Sequence, residues 1–170
     1  MNAQRQGLAP AQLRRCRIVL GVFILGLVLS GLTAFPLSYE LDWLAALRGL
    51  APDSTPAQTL NGFDRWIVTV RNGLREVYAH HPWIAYGTDW LAFAHLALAV
   101  FFLGPLMNPV RNVWVLKAGL IACVGVPVLA LTCGPLRGIP LGWRLIDCSF
   151  GVGGAIPLCY CLRLVNRRGE

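Results

Sequence analysis

Four long apolar stretches dominate the chain and occupy nearly half of it. They cover residues 18–35, 90–107, 113–133 and 145–165. Each has about 18–21 residues, so as an α-helix with 1.5 Å of rise per residue it would span roughly 27–31 Å, the thickness of a bilayer's hydrocarbon core. The pattern predicts an all-α integral membrane protein, a four-helix bundle in which residues 1–170 form a single membrane domain.

The loop of residues 36–87 joins the first two stretches and is the only sizeable segment outside them. Its first part predicts a short amphipathic helix that Ser38 caps and Gly49 ends, because serine oxygens cap helix N-termini and glycine adopts the conformation that closes a helix. The leucines of this helix are expected on one side: Leu41, Leu44 and Leu47. The proline-rich residues 51–56 then interrupt the chain.

A second amphipathic helix is predicted over residues 57–78. Its apolar side chains recur at spacings of three and four: Leu60, Phe63, Ile67, Val70, Leu74 and Val77. Charged residues, including Asp64 and Arg71, occupy the other face, as in a helix with one apolar stripe. The plainest interpretation is that this helix lies on the outer leaflet or across the top of the bundle. The alternative is a lid, or a docking surface for another protein.

The net charge of +7 indicates orientation rather than a nucleic-acid partner. If the N-terminus is cytoplasmic, the inside segments carry nine basic residues and one acid, whereas the outside segments carry six basic residues and seven acids. A positive excess on one side follows the positive-inside rule. We therefore expect a multi-pass protein with both termini in the cytoplasm and no nucleic-acid binding. The arginine-heavy usage and short tails fit a bacterial inner membrane.

The first stretch has one alternative interpretation. Arg14, Arg15 and Arg17 before an apolar run are also typical of the start of a cleaved signal peptide. The run is long for that purpose, and Leu32 occupies a position where a cleavage site needs a small residue. We therefore expect an uncleaved first span.

Charged residues collect at the predicted outer ends of the second, third and fourth spans. They are Asp89, Arg137, Arg144 and Asp147. Arg144 and Asp147 lie three residues apart, so on a helix they can form an ion pair, which Asp89 and Arg137 could join. The group is either a charge network that neutralises helix ends or a candidate polar site, since lipid excludes such residues unless they are paired or functional.

His95 is the only histidine inside a predicted span. It lies six residues after Asp89, roughly 9 Å along the helix and about 240° around it, so the two residues share no face. Pro127 and the glycine-rich residues 151–154 fall at a similar depth in the other spans, where they free backbone groups. His95 is therefore either a core histidine bonded to a freed carbonyl, or a proton carrier, a quinone contact or a substrate contact.

Cys133 and Cys148, at the outer ends of the third and fourth spans, can form a disulfide on the oxidising side of the membrane or remain free packing residues. No metal site is predicted, because HExxH and CxxC patterns are missing and the adjacent His80 and His81 point in different directions. No cofactor is predicted either. A haem held between two helices would need a second histidine facing His95, although neither haem nor quinone is excluded.

Two classes of function remain. The first is a non-enzymatic accessory or scaffold subunit of a larger membrane complex, which fits the small size, the amphipathic loop and the lack of a catalytic motif. The second is a small transporter or a quinone- or redox-linked membrane enzyme that uses an outer-leaflet polar site around His95, Asp89 and Asp147. Transport would need an oligomer, since four spans show no internal repeat. The expected partners are bilayer lipid and either other membrane subunits or further copies of this chain.

Overall fold

A computed structural model of the chain describes residues 8–50 and 60–167. Within these ranges six α-helices follow one another: α1 Pro10–Ala34, α2 Leu37–Leu47, α3 Gly62–His80, α4 Ala85–Met107, α5 Val113–Leu136 and α6 Leu141–Asn166. A 3₁₀ turn, Pro82–Ile84, precedes α4. The predicted all-α class, with two shorter helices between the first and second spans, is confirmed.

Four of the helices are long and apolar enough to cross a membrane: α1, α4 together with its 3₁₀ turn, α5 and α6. The chain is thus a polytopic membrane protein with four candidate spans. Each helix is longer than the apolar stretch that predicted it, because a helix need not stop where the hydrocarbon does. The helix α1 begins at Pro10, where the missing proline N–H has no helical partner to lose, and it continues through three arginines before the apolar run begins.

The chain divides into two compact units. One comprises Met1–Leu27 and Leu98–Glu170, and we call it the α5–α6 unit. The other comprises Val28–Ala97, and we call it the loop unit. Both α1 and α4 contribute residues to each unit.

The core of the α5–α6 unit receives side chains from all four long helices. Leu20 of α1, Leu116 of α5 and Leu158 of α6 are fully buried there. Phe102 of α4 packs edge-on against Phe23 of α1, with 4.8 Å between ring centroids. These residues lie toward the beginnings of α1 and α5 and the ends of α4 and α6. The densest packing of this unit is therefore at the end that the charge pattern predicts to be cytoplasmic.

The backbones of α5 and α6 touch halfway along their length. Pro127 has no N–H, so the Cys123 carbonyl four residues earlier loses its helical hydrogen bond. Gly151 of α6 lies against that carbonyl, and a Cβ at Gly151 would come within 2.5 Å of the Cys123 oxygen and 2.9 Å of Pro127 Cδ. Glycine is therefore required here, and one of its Cα–H groups faces the freed oxygen.

The loop unit contains the end of α1, the pair α2 and α3, and the first part of α4. Ala45 of α2 and Ile67 and Val68 of α3 are almost completely buried within the protein. The helix α2 ends in a Schellman motif, in which the Leu50 N–H donates to the Ala45 carbonyl and Gly49 has a φ of 66°. Gly49 thus ends this helix as the sequence predicts.

The structure corrects the predicted beginnings of both loop helices. The helix α2 begins at Leu37 with Pro36 as its N-cap, so Ser38 lies inside the first turn and is not the cap. The helix α3 begins at Gly62 and is capped by Asn61, whose side chain accepts a hydrogen bond from the Asp64 N–H at 3.1 Å. The proline-rich residues 51–56 lie outside the described residues.

The sequence predicted that Leu47 would share a face of α2 with Leu41 and Leu44, and this prediction is wrong. Leu47 is 64% exposed, whereas the other two leucines are half-buried. Six residues turn an α-helix by a net angle of about 240°, so Leu47 lies well away from Leu41. The reassignment of Leu47 leaves α2 with an apolar surface on each of two sides.

Candidate functional site

His95 lies in the middle of α4, ten residues after Ala85 and twelve before Met107. Because α4 begins five residues before the apolar stretch that predicted it, the imidazole is nearer the centre of the span than expected. His95 is half-buried where α1 crosses α4. A Cβ added at Gly31 of α1 would come within 3.2 Å of His95 Cβ and 2.9 Å of the Ala92 oxygen. Glycine at position 31 therefore lets the two backbones approach beside the histidine.

The imidazole of His95 is held by its own helix. Its Nδ1 lies 2.8 Å from the carbonyl oxygen of Leu91, one turn earlier. A carbonyl oxygen only accepts hydrogen bonds, so Nδ1 is the donor in this contact. Within the described residues, no hydrogen bond engages Nε2. The carbonyl that holds the ring thus belongs to α4 and is not one freed by a proline of another span.

Asp89 lies near the beginning of α4, in the same unit as His95. Its side chain is half-buried, and the hydroxyl of the preceding Thr88 donates to the Ala85 carbonyl at 2.6 Å. No hydrogen bond or ion pair joins Asp89 to another described residue. Asp89 is the fifth residue of α4, so it lies just beyond the first turn, where the helix dipole favours an acid. Asp89 and His95 are therefore separate polar positions on one helix.

The remaining candidate residues lie around the turn between α5 and α6, in the other unit. Arg137 is exposed and is the C-cap of α5, followed by Gly138 with a φ of 70° in a second Schellman turn. Arg144 lies in the first part of α6, and its side chain covers Gly134: a Cβ there would come within 2.5 Å of Arg144 Cδ. The Arg144 Nε atom is buried without a hydrogen-bond partner among the described residues.

Asp147 is exposed on α6, and the structure does not pair it with Arg144. The predicted ion pair is thus not formed, because the Arg144 side chain extends toward the turn and packs on Gly134. The five predicted site residues fall into two groups, with Asp89 and His95 in the loop unit and the three others in the α5–α6 unit. A shared polar site formed by all five stays a prediction.

The thiols of Cys133 and Cys148 are free in the structure, so their pairing also stays a prediction. A different cysteine contact is present in the core of the α5–α6 unit. Cys16 of α1 and Cys161 of α6 are fully buried, and the Cys161 thiol lies 3.7 Å from the Cys16 carbonyl oxygen. Nothing in the sequence spacing of these two residues indicates that α1 and α6 meet there.

Two polar contacts at the predicted cytoplasmic end were not anticipated. Arg17 of α1 donates from Nε to the Leu106 carbonyl at 3.2 Å and from Nη2 to the Met107 carbonyl at 2.9 Å. Asn112, after α4, donates from Nδ2 to the carbonyls of Gly104 and Asn108 at 3.0 and 2.9 Å. Arg17 thus satisfies the last carbonyls of α4, where a helix has no further N–H groups to supply. Asn112 adds a second donor to two carbonyls that also accept backbone N–H groups.

The helices α2 and α3 form an antiparallel pair joined by two ion pairs. Arg48 binds both carboxylate oxygens of Asp64, at 2.8 and 3.2 Å, and its guanidinium lies over the Phe63 ring. Arg75 binds Asp42 at 2.7 Å. The hydrogen bonds from Arg48 hold the pKa of the Asp64 carboxyl below its usual range, and the same contact raises the pKa of Arg48. The Arg48–Asp64 contact is thus strongest when both groups are charged.

Within residues 8–50 and 60–167, no three His, Cys, Asp or Glu side chains lie close enough together to hold a metal ion. No protein-family model, curated protein sequence or solved structure matches the chain. The function must therefore be argued from the residues themselves.

Proposed function

We propose that this chain is a non-enzymatic accessory or scaffold subunit of a larger membrane complex in a bacterial inner membrane, with both termini in the cytoplasm. The observation that supports this proposal is the local character of the hydroxyl and imidazole hydrogen bonds in the spans. Five described side chains there bond to carbonyls of their own helix: Thr33, Thr88, His95, Thr132 and Ser149. None of these five bonds to a carbonyl of a second span, so they assemble no shared reaction centre.

The longer-range polar contacts of Arg17 and Asn112 act on backbone carbonyls at the end of α4. Such contacts fix how helices and turns meet. In the second half of α5 and the first half of α6, by contrast, Leu129 and Phe150 are 63% and 66% exposed. Apolar helix faces of this kind contact lipid or the helices of another subunit.

The test is purification of the full chain from its native membranes, expressed at its natural level and carrying a terminal tag. We expect a complex of fixed stoichiometry with other integral membrane proteins, visible on native gels and retained through a second purification step. A four-span membrane protein with the same tag, expressed at the same level, is the control. Recovery of this chain only as a monomer or as copies of itself contradicts the proposal.

The proposed orientation has its own test. A fluorescent protein that folds only in the cytoplasm should fluoresce when fused to either terminus. Alkaline phosphatase, which is active only outside, should be active when inserted after Leu50, between α2 and α3. The opposite pattern would reverse the assignment of the two sides and would contradict the positive-inside count.

One observation favours a second candidate, a quinone- or proton-linked role for His95. A half-buried imidazole in the middle of a span, with no hydrogen bond to Nε2 within the described residues, can contact a quinone carbonyl after protonation or carry a proton itself. Under this candidate, quinone co-purifies with the chain and is lost in His95→Ala. The control is His81→Ala, because His81 is exposed and precedes α4. Equal quinone content in both variants removes this candidate.

A further inference from the structure

The outward side of α2 carries an uncovered row of large apolar side chains. Tyr39, Trp43 and Leu47 follow one another at a spacing of four residues and are 79%, 66% and 64% exposed. Residues at this spacing lie on one side of a helix. The opposite side of α2 faces the protein, where Ala45 is fully buried. An eleven-residue helix thus has one covered side and one uncovered aromatic side.

The covered side of α2 is occupied by α3. The two ion pairs, Arg48 with Asp64 and Arg75 with Asp42, tie α3 to α2. The apolar residues of α3 are also used within the protein, since Ile67 and Val68 are 0% and 1% exposed. The helix α3, for which the sequence favoured a position on the outer leaflet or across the top of the bundle, therefore has side chains that are buried within the protein. The uncovered row on α2 is the surface that still needs a partner.

The position of α2 in the chain indicates what that partner is. The candidate span α1 ends at Ala34 and α2 begins at Leu37, so only Phe35 and Pro36 separate them. A linker of two residues, even when fully extended, spans at most about 7 Å. The helix α2 therefore begins close to the border of the hydrocarbon core, within the layer of lipid headgroups. Tyrosine and tryptophan favour this layer because their rings are apolar and each has one polar group to hydrate.

The polar residues beside the row fit the same environment. Glu40 and Asp42 flank it on either side and are half-buried, and Asp42 is neutralised by Arg75. A helix that lies in a membrane surface likewise has a polar side and an apolar side, and its apolar side is directed into the boundary between headgroups and acyl chains.

We propose that α2 is an interfacial anchor, and that Tyr39, Trp43 and Leu47 contact the headgroup and upper acyl-chain region of the phospholipid bilayer. The helix α3 then lies on the far side of α2 and is held there by the two ion pairs. The loop between the first two spans is thereby fixed to the membrane surface along its own length, in addition to its two ends.

The test uses a photoreactive amino acid, benzoyl-phenylalanine, incorporated singly at Tyr39, Trp43 or Leu47 of the full chain. Thr69 and Glu76 are the matched control positions, because both are exposed on α3 and neither belongs to the row. Each variant is reconstituted into vesicles of phosphatidylethanolamine and phosphatidylglycerol and irradiated. Intact-protein mass spectrometry then measures the fraction of chains that gained the mass of one phospholipid. Elution from a sizing column in detergent confirms that each variant is folded.

We expect lipid adducts at the three α2 positions to exceed those at Thr69 and Glu76 several-fold. Equal adduct yields at all five positions would overturn the proposal, because the row would then be no closer to lipid than α3 is. Cross-links from the row mainly to a second protein chain would overturn it as well and would identify a protein partner instead. A second measurement replaces Trp43 by Asp, which should release α2 from the vesicle surface and increase hydrogen exchange in α2 but not in α5.

Discussion

The backbone contact between α5 and α6 leads to a sharp prediction about Gly151. In Gly151→Ala the new methyl group would lie 2.5 Å from the Cys123 oxygen, 2.9 Å from Pro127 Cδ and 3.1 Å from Val126 Cβ. All three neighbours are backbone, ring or β-branched atoms, so no flexible side chain can move aside. The two helices must therefore separate at this point to accept the methyl group.

The size of the effect follows from these distances. Carbon and carbonyl oxygen normally approach to about 3.3–3.6 Å, so α6 must retreat by roughly 1 Å. Overpacking of this kind costs about 1–3 kcal/mol. Alanine also has a better helix propensity than glycine, by about 1 kcal/mol, which partly hides the cost. Gly153→Ala in the same helix is the matched control, because nothing lies within 4 Å of a Cβ at Gly153 and only the propensity gain applies.

The assay is thermal unfolding in mild detergent with a maleimide dye that fluoresces on reaction with thiols. Cys16 and Cys161 are fully buried and become reactive only when the α5–α6 unit opens, whereas the other four cysteines are at least partly exposed and are replaced by alanine in both variants. In a protein of this length each kcal/mol shifts the melting temperature by about 2–4 °C, so Gly151→Ala should melt roughly 2–12 °C below Gly153→Ala. Identical melting of the two variants would show that α5 and α6 do not meet closely at Gly151, and the reasoning would fail.

Three further predictions concern side chains that hold helix ends. Arg17→Gln removes a cation from the last carbonyls of α4 and should lower stability in the same assay by about 0.3–1 kcal/mol, while Arg15→Gln, equal in charge change, should not. Asn112→Ala removes the side-chain donor from the Gly104 and Asn108 carbonyls, which keep their backbone N–H donors, and should cost about 0.5–1.5 kcal/mol, whereas an unchanged melting temperature would contradict a role in the α4–α5 turn. Because the pKa of Asp64 is lowered, its contact with Arg48 stabilises the α2–α3 pair fully above about pH 4. This stabilisation is lost as the pH falls through the lowered pKa. Hydrogen exchange in α3, corrected for its intrinsic pH dependence, should therefore rise in acid, and Asp64→Asn should abolish that rise.

The candidate spans could be predicted from the sequence because lipid imposes a strong and simple requirement on them. An apolar run of about twenty residues has few alternatives to a membrane helix. The exact ends could not be predicted, since helical hydrogen bonding continues into polar sequence wherever no residue stops it. Thus α1 begins at Pro10 and includes the arginines that indicated orientation, and α6 begins at Leu141, directly after Pro140.

Local chemistry was harder to predict, because several candidate residues bind backbone atoms rather than one another. His95 bonds to the Leu91 carbonyl, and Arg17 bonds to carbonyls at the end of α4. Every residue has a carbonyl, so such partners leave no mark in the sequence. Arg144 illustrates the same difficulty: its spacing from Asp147 allowed an ion pair, but glycine at position 134 offers a surface that takes the arginine side chain instead.

The faces of the loop helices show how composition and geometry together decide what a surface contacts. Leucines at positions 41, 44 and 47 look equivalent in a pattern of apolar residues, and only the tertiary contact with α3 separates them. Once Asp64 and Arg75 have tied α3 to one side of α2, Leu47 joins Tyr39 and Trp43 on the other side. Two of the charged residues that made α3 resemble a surface helix, Asp64 and Arg75, form ion pairs with the α2 side of the pair. The membrane contact of the loop is therefore assigned to the shorter helix, whose own sequence contains the aromatic residues that such a contact needs.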